Sequence, residues 1–372
     1  MKNKLGARSI LILFSSFFLS CDIDEIATVY QNQWQLKLSE ELTLPTNGFF
    51  SGLSELSDGS ILAVQQSIGE NNDTNLSFLT INRDAIATKV ETISLPNFSI
   101  DLDHTSTGQK IEILGQSKTS LTKGLIITLD DKLETSLNEI DLSSALANIS
   151  LVRRHLSEHF LYLSGQDIPK QTGYSVVKTD RQGEIVWSSF IGEHRPLQLI
   201  EGSNETLFVL EQDTDNNQSL IKLEKDGGID WTSNLTGDTR IVPNMKDVNA
   251  IIVSPSNTIT AVGTNTANQL MLAFIDPRGN FMFQKFLGGF ELTQFHDFII
   301  TKDGGFMVAL SGNRLETNIS VVILRLNHRA VITWQSDFVL NNLPDKVSLI
   351  ELSTNEVVIM TNEGNMINVV PE

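Results

Sequence analysis

Apolar and polar positions along the chain recur in a unit of about fifty residues. Each unit opens with an apolar run, a polar turn and a second apolar run, plainest in FHDFIITKDGGFMVALSG around Asp303 and Gly304. Equivalent turns fall at Asp58, Thr107, Glu158, Asn204, Ser256, Asp303 and Thr354, about 46 to 52 residues apart, a period that belongs to propeller blades. The flanking runs are rich in Val, Ile, Leu and Phe with partial alternation, which predicts short antiparallel strands.

A second pattern follows in most units: a β-rich run, a turn that starts with Asp, Asn or Glu, and an aromatic residue seven positions on. It reads SVVKTDRQGEIVW, SLIKLEKDGGIDW, LAFIDPRGNFMF and VILRLNHRAVITW, with turn starts at Asp180, Glu224, Asp276 and Asn327 and aromatics at Trp187, Trp231, Phe283 and Trp334. Weaker copies start at Asn82 and Asp130, with Lys89 and Leu137 in the aromatic slot. Turn chemistry accounts for the spacing. Asp or Asn at the first corner can bond the backbone two residues on, Pro277 presets the second corner, and Gly183, Gly227 and Gly279 supply positive φ.

Each unit therefore holds four strands, and the expected fold is all-β: a seven-bladed β-propeller of four-stranded antiparallel blades. A single blade cannot cover its own apolar faces and must pack on its neighbours. The last unit, VSLIELSTNEVVIMTNEGNMINVV, supplies only three strands, and QNQWQLKLSEEL near the start offers the fourth, with Trp34 in the aromatic slot. The N-terminal strand is thus expected to pair with the last blade, which removes a free sheet edge. Trp34, Trp187, Trp231, Phe283 and Trp334 then share one structural position. They are read as core, since a residue repeated once per blade is a scaffold element and a buried aromatic covers on the order of 150 to 250 Å².

The second pattern resembles the tryptophan repeat of quinoprotein (PQQ-like) propellers, and the DGGF turn resembles the repeats of secreted propellers of Bacteroidota, over roughly residues 31 to 372. Blades three to six carry the motif; blades one, two and seven follow it by pattern and spacing. The resemblance implies the fold and leaves two outcomes open. One is a non-enzymatic scaffold, like the propeller lipoprotein of the outer-membrane β-barrel assembly machinery; the other is a dehydrogenase carrying quinone, calcium and often haem.

The first residues, MKNKLGAR, carry Lys2, Lys4 and Arg8; an apolar run from Ile10 to Leu19 follows, and small Ser20 precedes Cys21, the sole cysteine. That is the pattern of a cleaved secretory signal, about a dozen apolar residues where a membrane span needs about twenty. Phe18-Leu19-Ser20-Cys21 resembles the lipobox of bacterial lipoproteins, with Phe18 where an aliphatic residue is usual. The resemblance implies a signal peptide over 1–20 and lipidation of Cys21, which leaves an acidic tether over 21–31 before the propeller expected from the repeats over 32–372. Two or more acyl chains, at about 0.8 kcal/mol per buried methylene, anchor durably. Asp22, Asp24 and Glu25 resemble the surface-export signal of Bacteroidota lipoproteins, which implies the outer membrane and its cell-surface side. In another group of bacteria an acidic residue there resembles an inner-membrane retention signal.

Formal charge is −18, and loss of the basic leader makes the mature chain more negative still. Such a surface repels nucleic acid and anionic lipid, so the expected partners are the membrane, through Cys21, and a protein or glycan. With Cys21 acylated, no thiol remains for a disulfide, a thiolate metal site, a haem attachment or a nucleophile. No cofactor or metal site is expected.

Two constellations invite a metal reading and are better explained otherwise. His155 and His159 lie four apart in RRHLSEHF, a ligand spacing on a helix, but the repeat puts them across a strand and its turn. DTDNNQS, with Asp213, Asp215, Asn217 and Glu224 at the twelfth position, resembles a calcium loop. Its sixth position is Gln218 rather than Gly, and the following SLIKL is needed as a strand, so it reads as a polar inter-strand loop.

Variable loops on a rigid scaffold are where function usually resides. GDTRIVPNMKDVN, GEHRPLQ and GGFELTQFH are the expected blade-to-blade connections, presenting Arg240 and Lys246, His194 and Arg195, and Phe290 and Phe295. In so acidic a chain, Arg195, Arg240 and Lys246 on neighbouring loops stand out as a partner patch; solvated loop charges and aromatics tucked over blade ends are the plainer alternative. Arg153 and Arg154 lie on an inner strand, where one of them can face the central channel. The expected function is a membrane-anchored, non-catalytic scaffold for a protein or glycan partner. The alternative is a quinone- or metal-dependent oxidoreductase, or a glycan-active enzyme, using the propeller channel.

Overall fold

A computed structural model of the chain describes residues 30–32, 37–38, 48–69, 72–83, 86–107, 110–130, 133–156, 159–168, 173–236, 245–313, 320–339, 344–362, 364 and 366–370; the side chains of 101–111, 150–156, 288–293 and 312–313, among others, lie outside that description. Strands pair in sequence order. Residues 49–95, 98–141, 150–192 and 195–234 form the first four blades, each with four antiparallel strands. Blade 5 begins with Met245–Val253, and its outer strand runs on without a break, as Phe281–Ile300, to become the inner strand of blade 6. Blade 6 ends with Ile332–Val339, and blade 7 holds Val347–Glu351, Val357–Thr361 and Met366–Val370.

The seventh blade is completed from the other end of the chain. Tyr30–Asn32 pairs antiparallel with Met366–Val370, Tyr30 opposite Val370 and Asn32 opposite Asn368. The ring is closed as the repeat count predicts, although the segment expected to serve as one strand is divided. Lys37–Leu38 pairs in parallel with Ile86 and Ala87 on the outer strand of blade 1, so two short pieces serve the blades on either side of the closure. Trp34, between them, lies outside the described residues.

The first strand of every blade touches the first strands of both neighbours in an unbroken cycle, which puts these strands around the axis. Apolar side chains on the two faces of each sheet then meet those of the next. Leu62 and Phe78 of blade 1 join Ile113 and Ile127 of blade 2; Tyr162 of blade 3 joins Leu199 and Val209 of blade 4; Phe50 and Leu79 join Val358 and Met360 across the closure. Each of the seven blade interfaces holds one such cluster among the described residues. A fully buried Leu or Phe contributes about 1.5–3 kcal/mol, and this packing holds the ring.

The turns follow the expected chemistry. Asp180 Oδ1 accepts from the N–H groups of Gln182 and Glu184, Asp276 Oδ1 from Arg278 and Asn280, and Asn327 Oδ1 from Arg329 and Val331. One expected connection is absent. GGFELTQFH is not a loop but the middle of Phe281–Ile300, because Glu291 pairs both with Gln269 of blade 5 and with Asn313 of blade 6, so the two ladders extend until they meet.

Candidate functional site

The inner strands carry the polar groups nearest the axis, and bulges set where those groups point. Register slips occur beside Gly52, Leu197, Asn249 and His296, and between Asp101 and His104 and between Ser150 and Arg154, so blades 1 to 6 are all bulged. A bulge re-aims the side chains that follow it. Just past the bulge of blade 4, Gln198 Nε2 donates to Ile251 O at 3.1 Å while its Oε1 accepts from Ile251 N at 2.8 Å, in blade 5. In blade 6, Asp297 Oδ2 accepts from Leu349 N of blade 7 at 2.8 Å. Both residues stand six before their turn residues, Asn204 and Asp303.

Three residues before the turn, a glutamate reaches the other way. Glu351 Oε2 accepts from Lys302 N at 2.6 Å, and Glu55 accepts from Ser353 N and Oγ at 2.7 and 2.5 Å across the closure. Glu201, at the same place in blade 4, accepts from the Tyr162 hydroxyl of blade 3 at 2.7 Å. Burial, then that bond to a carboxylate, raises the Tyr162 phenol far above its ordinary range.

A cavity of about 530 Å³ opens along the axis, walled by Gln198, Phe295, His296, Ile299, Ile350 and Glu351, with Lys302 and Lys346 at opposite ends of the inner strands. Its acids are already engaged. Asp297 accepts from Phe298 N as well as from Leu349 N, and Glu351 meets the Arg325 guanidinium at 3.0 Å. His296 is the extra residue of its bulge, with Nε2 2.6 Å from Ser311 Oγ. Its Nδ1 is buried with no hydrogen-bond partner among the described residues, and burial lowers its pKa to about 4, so the ring is neutral at neutral pH. Chemically, this wall joins blades more than it presents open functional groups.

The face opposite the repeated turns holds three of the residues singled out from sequence as a partner patch, His194, Arg195 and Lys246. Glu211, buried, accepts from Ser219 Oγ at 2.7 Å and lies 3.1 Å from His194 Nδ1, fixing an exposed imidazole. Arg195 Nη2 donates to Gln212 Oε1 at 3.4 Å and Lys246 Nζ to Asn268 Oδ1 at 3.3 Å. These two cations stand at the starts of the inner strands of adjacent blades, each tied to its own blade. Asp213 accepts from Asp215 N, Asn217 N and Asn217 Nδ2, closing its own turn.

The remaining candidates are scattered. Phe295 packs on the core between blades 5 and 6 and borders the cavity. Phe290 lies on the continuous strand and Arg153 and Arg154 on the inner strand of blade 3, with side chains outside the description; Arg240 and residues 1–29, Cys21 among them, lie outside the described residues, while Tyr30 and Gln31, expected in the tether, belong to the closing strand.

The aromatic row bridges neighbouring blades. Trp187 Nε1 donates to Lys225 O at 2.9 Å and Trp231 Nε1 to Pro277 O at 3.0 Å, each indole lying on the turn of the next blade. Gly227 and Gly279 sit beneath them at φ +85° and +83°, and a β-carbon there would come within 2.9 and 2.8 Å of the indole. Phe283 stacks on Phe274 of its own blade at 4.3 Å and stays 43% exposed, so it is not the core residue expected: Phe274 covers one face of its ring and leaves the rest in partial contact with solvent. Trp334 is buried and its Nε1 has no partner among the described residues, since blade 7 has the ring closure where other blades have that turn.

Sequence reasoning missed the cations opposite these rings. Lys178 pairs across strands with Trp187, Lys222 with Trp231 and Arg325 with Trp334. Lys178 is buried, its Nζ 3.6 Å over the Phe160 ring and 2.5 Å from Glu205 Oε2. Lys222 lies 2.9 and 2.8 Å from Glu224 and Asp230, and Arg325 lies 3.2 Å from Asp303. The signal was present as KTD, KLE and RLN, a cation two residues before each turn start, and as Glu55, Glu201 and Glu351 three before another.

No family model matches the sequence, and no curated protein matches it either. Among solved structures, the Dos1 propeller is similar over 92% of this chain and 95% of its own, with a TM-score of 0.56 at 10% identity. A protein of unknown function from Dyadobacter fermentans DSM 18053 aligns over 92% of this chain and 98% of its own (TM-score 0.45, 12% identity), and one from Bacteroides caccae over 69% and 92% (TM-score 0.39, 14% identity). At such identities the likeness to the Dos1 propeller concerns the fold alone, and the fold is a seven-bladed β-propeller.

Proposed function

We propose that this protein is a lipid-anchored binding platform, held to the outer membrane through Cys21, that presents a rigid propeller to a protein or glycan partner. The observation that carries the non-catalytic reading is the use made of the polar groups at the axis. Gln198, Asp297, Glu351 and Glu55 each bind the backbone of a neighbouring blade, so these groups hold the ring together and leave recognition to its faces. His194, Arg195 and Lys246, each positioned by a polar partner, mark the face for docking. The anchor rests on the sequence around Cys21.

The test is crosslinking in intact cells followed by mass spectrometry, comparing the full chain with its Cys21→Ser and Arg195→Glu/Lys246→Glu variants. Acyl labelling is expected to be lost in the first, and the crosslinked partner in the second. The chain lacking residues 1–21 should also be checked for bound metal and for a chromophore. A stoichiometric cofactor, or an unchanged crosslink in the charge-reversed variant, overturns the reading.

A further inference from the structure

The outer strand of blade 5 departs from the rest of the surface. Residues 277–290 contain Arg278, Lys285 and four phenylalanines and no acid, in a chain with 45 Asp and Glu. Phe281, Met282, Phe283 and Phe286 remain 39, 53, 43 and 44% exposed. Single exposed apolar residues are ordinary, but four within six residues of one strand make a patch. Met282 occupies a bulge that in neighbouring blades holds Val186, Asp230 and Thr333.

We infer that this edge is a lipid-contacting rim, with Phe281, Met282, Phe283 and Phe286 entering the headgroup boundary of the membrane that holds Cys21; the inference takes its setting from the anchor proposed above. Eight residues separate Cys21 from the closing strand at Tyr30, and at 3.3–3.6 Å per residue they reach about 30 Å. A propeller on so short a leash lies against lipid, and some edge must face it. Carboxylates resist leaving water, which disfavours the acid-rich remainder of the surface. An acid-free edge of Phe and Met meets no such cost, and the Lys285 stem can extend its charge toward the headgroups. Blade 5 lies two blades round the ring from Tyr30–Asn32, so tether and rim need not compete for the same edge.

The test uses unacylated residues 22–372, which contain every described strand, floated with vesicles of phosphatidylcholine and phosphatidylethanolamine. The parent is expected to float, and M282D/F286D to lose about fivefold or more of the floated fraction with an unchanged melting temperature. Val186→Asp, at the same position on blade 3, should float like the parent. A parent that stays at the bottom, or a double variant that floats equally, overturns the rim. So does a parent that sediments as a dimer and that M282D/F286D makes monomeric without vesicle binding, which would assign the edge to a second copy. Acyl labelling of the full chain against Cys21→Ser is scored separately, so failure of the anchor and failure of the rim give different results.

Discussion

Ser353 and Glu55 lie 298 residues apart in the chain and are joined by two hydrogen bonds, from the serine N–H and from its hydroxyl. They sit on either side of the seam where blade 7 meets blade 1, at the opposite end of the inner strand from the backbone bond of Phe50 N to Asn362 O. Bonds to a charged acceptor are worth more than neutral ones. Glu55→Ala is expected to lower unfolding free energy by about 1–3 kcal/mol, read from urea titration. A change within error would mean that the apolar seam around Phe50 and Val358 suffices by itself.

The tryptophan bridges predict a ranking. Trp187→Phe removes a bonded N–H and leaves Lys225 O without its donor, whereas Trp334→Phe removes an N–H that has no partner among the described residues. On that polar account the first substitution should cost about 1 kcal/mol more than the second. Thermal melting of both purified variants checks the order, and the reverse order would refute it. Gly279→Ala should cost more than about 1 kcal/mol, through positive φ and the indole above it.

His296 sets a pH dependence. The folded state keeps the ring neutral down to about pH 4, while an exposed histidine takes its proton near 6.5. The unfolded chain therefore binds more protons in that window, and stability falls as pH drops from 6.5 toward 4, by at most about 1.4 kcal/mol per unit. Partial solvent contact of the ring reduces the figure. His296→Gln should flatten the melting temperature across that window; an unchanged slope would place the titration elsewhere.

Lys178 and Glu205 offer a test of asymmetry. The lysine is buried and the glutamate half exposed, with the bond to Lys178 holding the Glu205 carboxyl below its usual pKa. Removing the acid strands a buried cation, whereas removing the cation leaves an acid that water can solvate. Glu205→Ala is expected to cost about 1–3 kcal/mol and Lys178→Met less, measured by denaturant titration. Equal costs would show that the Phe160 and Tyr162 rings support the ammonium without its counter-ion.

The fold was legible because its cause is local and repeated. Asp180, Asp276 and Asn327 bond their own turns, so the spacing from turn to aromatic is written in each blade separately. The count of seven first turns against six second turns placed the closing strand in residues 31–42, and Tyr30–Asn32, overlapping the start of that segment, supplies it. The division of the N-terminal segment between two blades was not legible, because the partner of Lys37–Leu38 is chosen by where the outer edge of blade 1 comes to lie. Nor was the merging of the strand from Phe281 to Ile300, since Glu291 gains its two partners only once blades 5 and 6 stand side by side.

The sequence by itself determined the repeated unit, its turns, the number of blades and which end of the chain closes the ring, because each depends on residues within one repeat or on a simple count. The tertiary structure alone decided which polar side chains are spent joining blades. Gln198, Asp297, Glu351 and Glu55 find their acceptors and donors across an interface, between residues about fifty or nearly three hundred positions apart. A hydrogen bond of that kind exists only after apolar packing has fixed the distance between blades, and no pattern within a single repeat contains that distance.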